Sequence, residues 1–274
     1  MCKSLLTVPV LANISQQYHS QSWIWFLDVD GTLLDIAPSP QSVHVPRVLV
    51  QALTRLTQNP RHRVALVSGR SLQDIDQLFP INGLSKSGNH GAEYQWANES
   101  WLHDSSQRFL AVRPQILQRL LPLSSLFPGL YIEDKQYSIS VHYRHVDHSQ
   151  HPQLAEQLQQ RLAFSRDIVI YPAKLCWEVR PQPGPTKKDA VTMLYRILSA
   201  GLPEPILPII MGDDRTDEDA FGALEHGITV HIGQGTSRAR FSLPSPQHVR
   251  DLLAEISAHP ELLLATDPGD GGTR

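Results

Sequence analysis

Cysteine is scarce in this sequence, which has only Cys2 and Cys176 among its 274 residues. Two cysteines cannot form the disulfide framework of a small secreted domain, and their scarcity fits a reducing compartment. Long hydrophobic runs are missing too, because no apolar stretch reaches the about 18 residues that a transmembrane helix needs. The net charge is only −3 and there is no basic stripe, which argues against nucleic-acid binding. These absences predict a cytoplasmic protein that contacts neither nucleic acid nor membrane.

The two ends of the chain have few signals of regular structure. We expect residues 1–20 to form a loose N-terminal arm, because chain ends are poorly ordered unless the fold holds them. A signal peptide is the alternative for this segment, since Lys3 precedes an apolar stretch. Pro9 and Asn13 interrupt that stretch, which favours the arm. At the other end, residues 263–274 are rich in glycine and are predicted to be disordered.

What the sequence does contain is an apolar strand that leads directly into two carboxylates. Residues 23–27 (WIWFL) are typical of a strand buried on both faces at the centre of a parallel sheet. Asp28 and Asp30 follow at once, and side chains two residues apart in an extended chain point the same way. Ligands of open α/β sheets bind beyond the carboxyl ends of the strands, so both carboxylates could face one ligand. The alternative is an ordinary Asp-Gly turn at Gly31.

Strands and helices alternate through most of the chain, which indicates a doubly wound α/β fold. Residues 63–67 and 205–211 have the same apolar character as the first strand. Residues 99–180 break the alternation with short antiparallel strands and two helices. We therefore predict a Rossmann-like parallel-sheet core formed by residues 21–98 and 181–262. A smaller α/β cap domain is predicted to be inserted into it at residues 99–180.

Three further polar residues stand at predicted strand ends or helix starts: Ser68, Lys187 and Asp213. Together with Asp28 and Asp30 they suit hydrolysis of a phosphate monoester, in which Asp28 is the nucleophile and Asp30 the general acid and base. Ser68 and Lys187 would hold the phosphate oxygens. Asp28, Asp30 and Asp213 would provide the oxygen ligands of a Mg²⁺ site. Each residue alone has an ordinary structural explanation, such as a helix cap at Ser68.

The segment Asp28 to Leu33 (DVDGTL) resembles the first motif of the haloacid dehalogenase superfamily of aspartate-nucleophile phosphatases. Ser68, Lys187 and residues 212–214 stand where the second, third and fourth motifs are expected. The likeness is closer still to the trehalose-6-phosphate phosphatases and extends over about residues 22–258. It is carried by residues 67–70 (VSGR), 88–93 (GNHGAE), 141–144 (VHYR), 177–181 (WEVRP) and 212–219 (GDDRTDED).

This resemblance implies roles for residues that the spacing alone does not assign. Glu133, Lys135 and Glu178 are expected to bind the hydroxyl groups of the distal glucose, although Glu133 and Lys135 could also be a solvated sheet face. The other expected substrate contacts are Gly69, Arg70, His90, Glu93 and Arg144. Thr32, Asp214 and Asp217 are expected to support the catalytic residues. Lys188 departs from the family, which usually has glycine after the motif lysine; both lysines are therefore candidates for the phosphate contact, and we favour Lys187.

The resemblance also implies an activity, a cofactor and partners. The expected reaction is the Mg²⁺-dependent hydrolysis of trehalose 6-phosphate, and the candidate protein partner is trehalose-6-phosphate synthase. The alternatives within the enzyme class are a phosphatase for another glycoside phosphate, such as sucrose phosphate or mannosyl-3-phosphoglycerate, and a phosphomutase. A different class of protein, a non-catalytic sugar-phosphate sensor, is disfavoured because Asp28 and Asp30 are both present.

Overall fold

The computed structural model describes residues 4–37, 42–97, 99–173 and 175–263. Within these ranges the strands are β1 (Ser4–Leu5), β2 (Ser22–Leu27), β3 (His62–Val67), β4 (Leu84–Gly88), β5 (Glu93–Trp96), β6 (Glu99–Leu102), β7 (Tyr131–Asp134), β8 (Ile139–His142), β9 (Ile168–Ala173), β10 (Cys176–Pro181), β11 (Ile206–Gly212), β12 (Ile228–Ile232) and β13 (Phe241–Leu243). The α-helices are α1 (Val8–Gln17), α2 (Arg47–Gln58), α3 (Leu72–Leu78), α4 (Asp104–Leu120), α5 (Leu123–Leu126), α6 (His151–Leu162), α7 (Lys187–Leu198), α8 (Arg215–Ala220) and α9 (Pro246–Ala258).

The larger sheet has nine strands in the order β1-β13-β12-β11-β2-β3-β4-β5-β6. The strands from β1 to β4 in this order pair in parallel, and β5 and β6 add an antiparallel hairpin at one edge. Because β11 and β3 flank β2 in parallel, the polar residues that follow these three strands lie side by side at the carboxyl ends of the strands. The predicted α/β fold with a parallel-sheet core is thereby confirmed.

Side chains of β2 alternate between two hydrophobic clusters. Trp23, Trp25 and Leu27 pack on one face of the sheet against α1, α2 and α9. Ile24 and Phe26 pack on the other face, against α7 and α8. All six residues of the strand are buried, as the unbroken apolar run predicted. A strand packed on both faces is a rigid support for Asp28, the residue that follows it.

The smaller sheet has the strand order β7-β8-β10-β9, and all its neighbouring strands are antiparallel. Helices α4 and α6 cover one face and share a hydrophobic cluster with Ile139 and Val141 of β8. Because neighbouring residues of a strand point to opposite faces, Ser140 and His142 face the other way. We call residues 104–181 the inserted unit, because the chain enters it after β6 and leaves it before α7.

Two boundaries differ from the sequence-based expectations. Strand β6 hydrogen-bonds to β5 of the large sheet, so residues 99–102 belong with the core strands and not with the insertion. The expected loose arm is wrong for the described residues 4–20: β1 pairs with β13, and helix α1 buries Leu11 and Ile14 in the core. Helix α1 is not predictable from its own sequence, because so short a helix is stable only on a surface that the surrounding fold supplies.

The predicted disordered tail begins at Leu263, which is buried and whose carbonyl accepts a hydrogen bond of 2.6 Å from Ser15 Oγ. Residues 264–274 of that tail lie outside the described residues. Among the residues described, no helix has both the length and the apolar character to cross a membrane.

Candidate active site

Asp28 lies immediately after β2, at the floor of a cleft between the large sheet and the inserted unit. Its backbone amide donates to the carbonyl of Met211 on β11, a distance of 3.0 Å, and its side chain is buried. Gly31 turns the chain with φ of +88°, and a Cβ atom at this position would collide with the carboxylate of Asp213. Thr32 is fully buried behind this turn. The close approach of Asp213 therefore depends on Gly31.

Lys187 joins two buried carboxylates. It is the first residue of α7, whose start is fixed by a capping box between Thr186 and Asp189. Its Nζ atom donates to Asp28 Oδ1 at 2.6 Å and to Asp217 Oδ1 at 2.8 Å. Burial opposes the charge of the ammonium group, but these carboxylates raise the pKa of Lys187 well above its usual value. Lys187 is therefore a fixed positive charge at the cleft floor, whereas Lys188 is exposed.

Asp28, Asp213 and Asp217 form a cluster in which one oxygen of each lies within 4.8 Å of the others. Burial, partly offset by Lys187, raises the pKa of Asp28 to about 6. Asp28 Oδ2 is buried and has no hydrogen-bond partner among the described residues. Lys187 donates to two of these three carboxylates, those of Asp28 and Asp217, and hard oxygen ligands suit Mg²⁺. These residues therefore fit a divalent cation.

The predicted metal set, Asp28, Asp30 and Asp213, differs from this side-chain cluster at one member. The carboxylate of Asp30 lies outside the acidic cluster and forms a bidentate pair with Arg70, with both N–O distances at 2.6 Å. Asp217, expected only to support the site, takes its place in the cluster. Asp217 is held there because its Oδ2 accepts from the backbone amides of Asp213 and Asp214. Asp214 itself caps α8 through Oδ1 and lines the cleft.

Ser68 follows β3 and lines the cleft beside Asp28. Its hydroxyl oxygen accepts from the amide of Arg70 at 3.1 Å, and its carbonyl accepts from the amide of His90 at 2.9 Å. The loop from Ser68 to Arg70 is packed tightly, since a Cβ atom at Gly69 would collide with the His90 ring. The amide of Asn89 donates to the carbonyl of Arg70 at 2.8 Å. This loop therefore presents Ser68 in one fixed position.

The polar face of the smaller sheet forms the opposite wall of the cleft. Register pairs Glu133 with Ser140 and Ser140 with Glu178, so these three residues lie side by side. The Oε2 atom of Glu133 lies within hydrogen-bond distance of His142 Nε2, at 2.8 Å. Burial opposes ionisation of Glu133, but His142 and Lys135 outweigh it and lower its pKa. Arg144 also lines the cleft, at its exposed rim.

His90 connects the core to the inserted unit. Its Nε2 atom lies 2.7 Å from Nη2 of Arg180 and 2.8 Å from Oε2 of Glu178. Burial lowers the pKa of His90 to about 4, although Glu178 opposes this shift, so the ring is neutral at neutral pH. Burial also opposes the charge of Glu178, but His90, Arg180 and Lys135 hold its pKa well below the usual value. The Nζ atom of Lys135 donates to the carbonyl of Gly69 at 3.1 Å.

Most of the predicted site residues line one cleft; among the described residues Thr32, Asp213 and Asp217 do not line it, and neither does Glu93. Its Oε1 atom instead accepts from the amide of Leu72 at 2.9 Å and from Asn89 Nδ2 at 2.7 Å. His142, which lines the cleft, and Arg180, which contacts His90, lie in the matched segments 141–144 and 177–181, but the sequence alone gives neither a role. Alternation along a strand could have found Arg180, since it lies two residues after Glu178 and shares its face.

Comparison with known proteins agrees with this geometry. The family model described as trehalose-phosphatase matches residues 26–249. The chain belongs to this family. A probable trehalose-phosphate phosphatase of Sinorhizobium fredii is 32% identical over 86% of this chain and 88% of its own length. Trehalose-phosphate phosphatase B of Arabidopsis thaliana is 27% identical over 85% of this chain, which spans 66% of that protein.

A solved structure described as a trehalose-6-phosphate phosphatase related protein has the same fold. It superimposes with a TM-score of 0.77 and 27% identity, covering 87% of this chain and 98% of its own. The likeness therefore extends over most of this chain.

Proposed function

We propose that this member of the trehalose-phosphatase family is a Mg²⁺-dependent phosphatase that hydrolyses trehalose 6-phosphate to trehalose and phosphate. The observation that carries the proposal is that one cleft has residues suited to a phosphoryl group at its floor and residues suited to a sugar on the opposite wall. The floor has Asp28, Lys187 and Ser68, which suit a phosphoryl group. The opposite wall has Glu133 and Glu178, carboxylates that accept hydrogen bonds from sugar hydroxyl groups.

In the proposed reaction Asp28 attacks phosphorus and the bond from phosphorus to the sugar oxygen breaks, giving an aspartyl-phosphate on Asp28. Asp30 gives a proton to the departing sugar oxygen and then accepts one from the water that hydrolyses the intermediate. Lys187 and Ser68 hold the other phosphate oxygens. Arg70 orients Asp30, which its bidentate contact already fixes in this structure.

The metal-binding residues proposed are Asp28 and Asp213, with Asp217 beside them. A bound Mg²⁺ supplies charge neutralisation for the carboxylates and polarises the phosphoryl group. The unpartnered Oδ2 atom of Asp28 supports this assignment, because a buried carboxylate oxygen is costly unless a proton, donor or cation satisfies it.

The inserted unit is proposed to act as a cap that recognises the sugar. Glu133, Lys135, Arg144 and Glu178 would contact the part of the substrate distant from phosphorus. The proposal places the reaction in the cytoplasm, in line with the low cysteine content and with Cys176 as a buried free thiol. Association with trehalose-6-phosphate synthase stays a prediction, which co-purification of the two proteins would test.

The deciding experiment is phosphate release from a panel of sugar phosphates with Mg²⁺ present. We expect trehalose 6-phosphate to give the highest kcat/KM, above sucrose phosphate and mannosyl-3-phosphoglycerate. Asp28→Asn should abolish turnover, because the amide is a poor nucleophile, while circular dichroism shows an unchanged fold. A different best substrate would reassign the cap, and binding without turnover by the unaltered chain would favour the sensor alternative.

A further inference from the structure

Asn89 is a buried residue whose side-chain amide makes three hydrogen bonds. It lies in a 3-10 turn (Asn89–Gly91) after β4, and its φ of +49° is in the left-handed region that asparagine tolerates. Nδ2 donates to Glu93 Oε1 at 2.7 Å and to the carbonyl of Lys135 at 3.1 Å. Oδ1 accepts from the hydroxyl of Ser138. One core side chain therefore makes two hydrogen bonds to the inserted unit.

The core side of this contact is held firmly. Glu93 Oε1 also accepts from the amide of Leu72, at the start of α3. Because Asn89 Nδ2 faces two acceptors and Oδ1 faces a donor, only one orientation of the amide satisfies all three groups. Glu93 thus fixes Asn89, which explains why Glu93 is buried away from the cleft.

The other side of the contact is the turn between β7 and β8. The amide of Lys135 donates to the carbonyl of Ser138 at 3.0 Å, and the amide of Tyr137 donates to the carbonyl of Lys135 at 2.8 Å. Asn89 binds both ends of this turn, the carbonyl of Lys135 and the hydroxyl of Ser138. The backbone of Lys135 is therefore fixed to the core directly, and not only through the inserted unit.

We infer that Asn89 is a positioning residue that docks the β7–β8 turn on the core and thereby places the ammonium group of Lys135 in the cleft. That group lies 3.1 Å from the carbonyl of Gly69 and 3.8 and 3.9 Å from carboxylate oxygens of Glu133 and Glu178. A shift of the turn would move it away from all three. The effect on substrate rests on the proposed function, since Lys135 is there assigned to the sugar.

The test uses the full-length chain with Asn89→Asp. Aspartate tolerates the left-handed backbone and keeps the acceptor for Ser138, but it turns an acceptor towards Glu93 and the carbonyl of Lys135. We expect kcat/KM for trehalose 6-phosphate to fall about 10- to 100-fold, and hydrolysis of p-nitrophenyl phosphate to fall less than about threefold. Gln136→Asn is the matched control, because this exposed residue of the same turn uses its backbone amide to bind Asp134 Oδ1.

A double variant, in which Asn89→Asp is added to Lys135→Ala, shows whether Asn89 acts through Lys135. In Lys135→Ala, the further change Asn89→Asp should reduce kcat/KM for trehalose 6-phosphate less than about threefold, because the group it places is already gone. A repeated full loss in that background would overturn the inference. So would equal losses on both substrates in the single variant, or a similar loss in Gln136→Asn.

Hydrogen exchange separates this inference from the proposed function. The amides of Lys135 and Tyr137 should exchange about tenfold faster in Asn89→Asp, whatever the substrate is. Unchanged exchange at both amides would overturn the docking role even if trehalose 6-phosphate is the substrate. Faster exchange in a chain that does not hydrolyse trehalose 6-phosphate would leave the docking supported and reject the proposed function alone.

Discussion

At the scale of single residues, the carboxylates at the floor of the cleft have different partners. Asp28 and Asp217 share Lys187, whereas Asp30 pairs with Arg70. The third carboxylate of the acidic cluster, Asp213, lies close to both Asp28 and Asp217, and carboxylates this close together favour a bound cation.

Removal of divalent cations should therefore silence the enzyme. We expect EDTA to abolish phosphate release and Mg²⁺ to restore it, because the clustered carboxylates repel the incoming phosphate when unscreened. Asp213→Ala should raise the Mg²⁺ concentration needed for half-maximal activity at least tenfold or prevent rescue. Asp219→Asn, a change of an exposed carboxylate in the same segment, is the control. Full activity of the unaltered chain in metal-free buffer would contradict the assignment.

Glu133 offers a test of sugar recognition with little change in shape. Glu133→Gln keeps the volume of the side chain but removes the charge that faces His142 and Lys135. We expect kcat/KM for trehalose 6-phosphate to fall about 10- to 100-fold, through loss of a charge-assisted hydrogen bond. The loss on p-nitrophenyl phosphate should be at least tenfold smaller, because that substrate has no sugar. Similar losses on both substrates would mean that Glu133 supports the cleft in general.

At the scale of elements, strands β2 and β3 are joined by a buried aromatic contact far along the strands from Asp28. The His62 ring stacks on Trp23, with ring centres 4.9 Å apart, and its Nδ1 accepts from Trp25 Nε1 at 3.0 Å. Burial lowers the pKa of His62 to about 4. Between pH 6.5 and about 4, the His62 ring is therefore neutral in the folded chain, whereas it is mostly protonated in the unfolded chain.

This difference predicts acid sensitivity. Between pH 6.5 and 4 the unfolded chain binds a proton at His62 that the folded chain does not, so stability falls as the pH falls. At about 1.4 kcal/mol per pKa unit, the loss reaches about 3 kcal/mol by pH 4. His62→Phe should be less stable at pH 7, because Trp25 loses its acceptor, but its stability should change less with pH. Urea unfolding of the unaltered chain and of His62→Phe at pH 6.5 and 4.5 measures how the free energy of unfolding of each changes with pH. An equal change in both proteins would refute the assignment.

Helix α1 gives a second prediction at this scale. Leu11 is fully buried in the core cluster, so Leu11→Ala should lower the free energy of unfolding by about 2–5 kcal/mol. Gln16→Ala changes an exposed residue of the same helix and should cost less than about 0.5 kcal/mol. Chemical denaturation of both variants is the measurement. If they were equally stable, helix α1 would contribute little to the core.

At the scale of the whole molecule, local sequence patterns were enough to predict the parallel core and the edge at which Asp28, Ser68 and Lys187 meet. The apolar run of β2 indicates burial on both faces, and the alternation of strands and helices indicates a parallel sheet. Partners distant in sequence were not predictable in this way. Glu93 binds Leu72 and Asn89 rather than the cleft, and Asp30 binds Arg70 rather than the acidic cluster. Such pairings depend on distances that only the folded chain defines.

The position of the inserted unit affects how this architecture can diversify. Its four strands pair with one another among the described residues, and its hydrophobic cluster is separate from those of the core. The chain returns directly to Lys187, so both junctions lie outside the strands that hold Asp28. Replacement of residues 104–181 by a unit of another shape would alter the wall that faces Asp28 while the large sheet stays whole. Evolution could thus exchange the residues opposite Asp28 and keep the strands that position it.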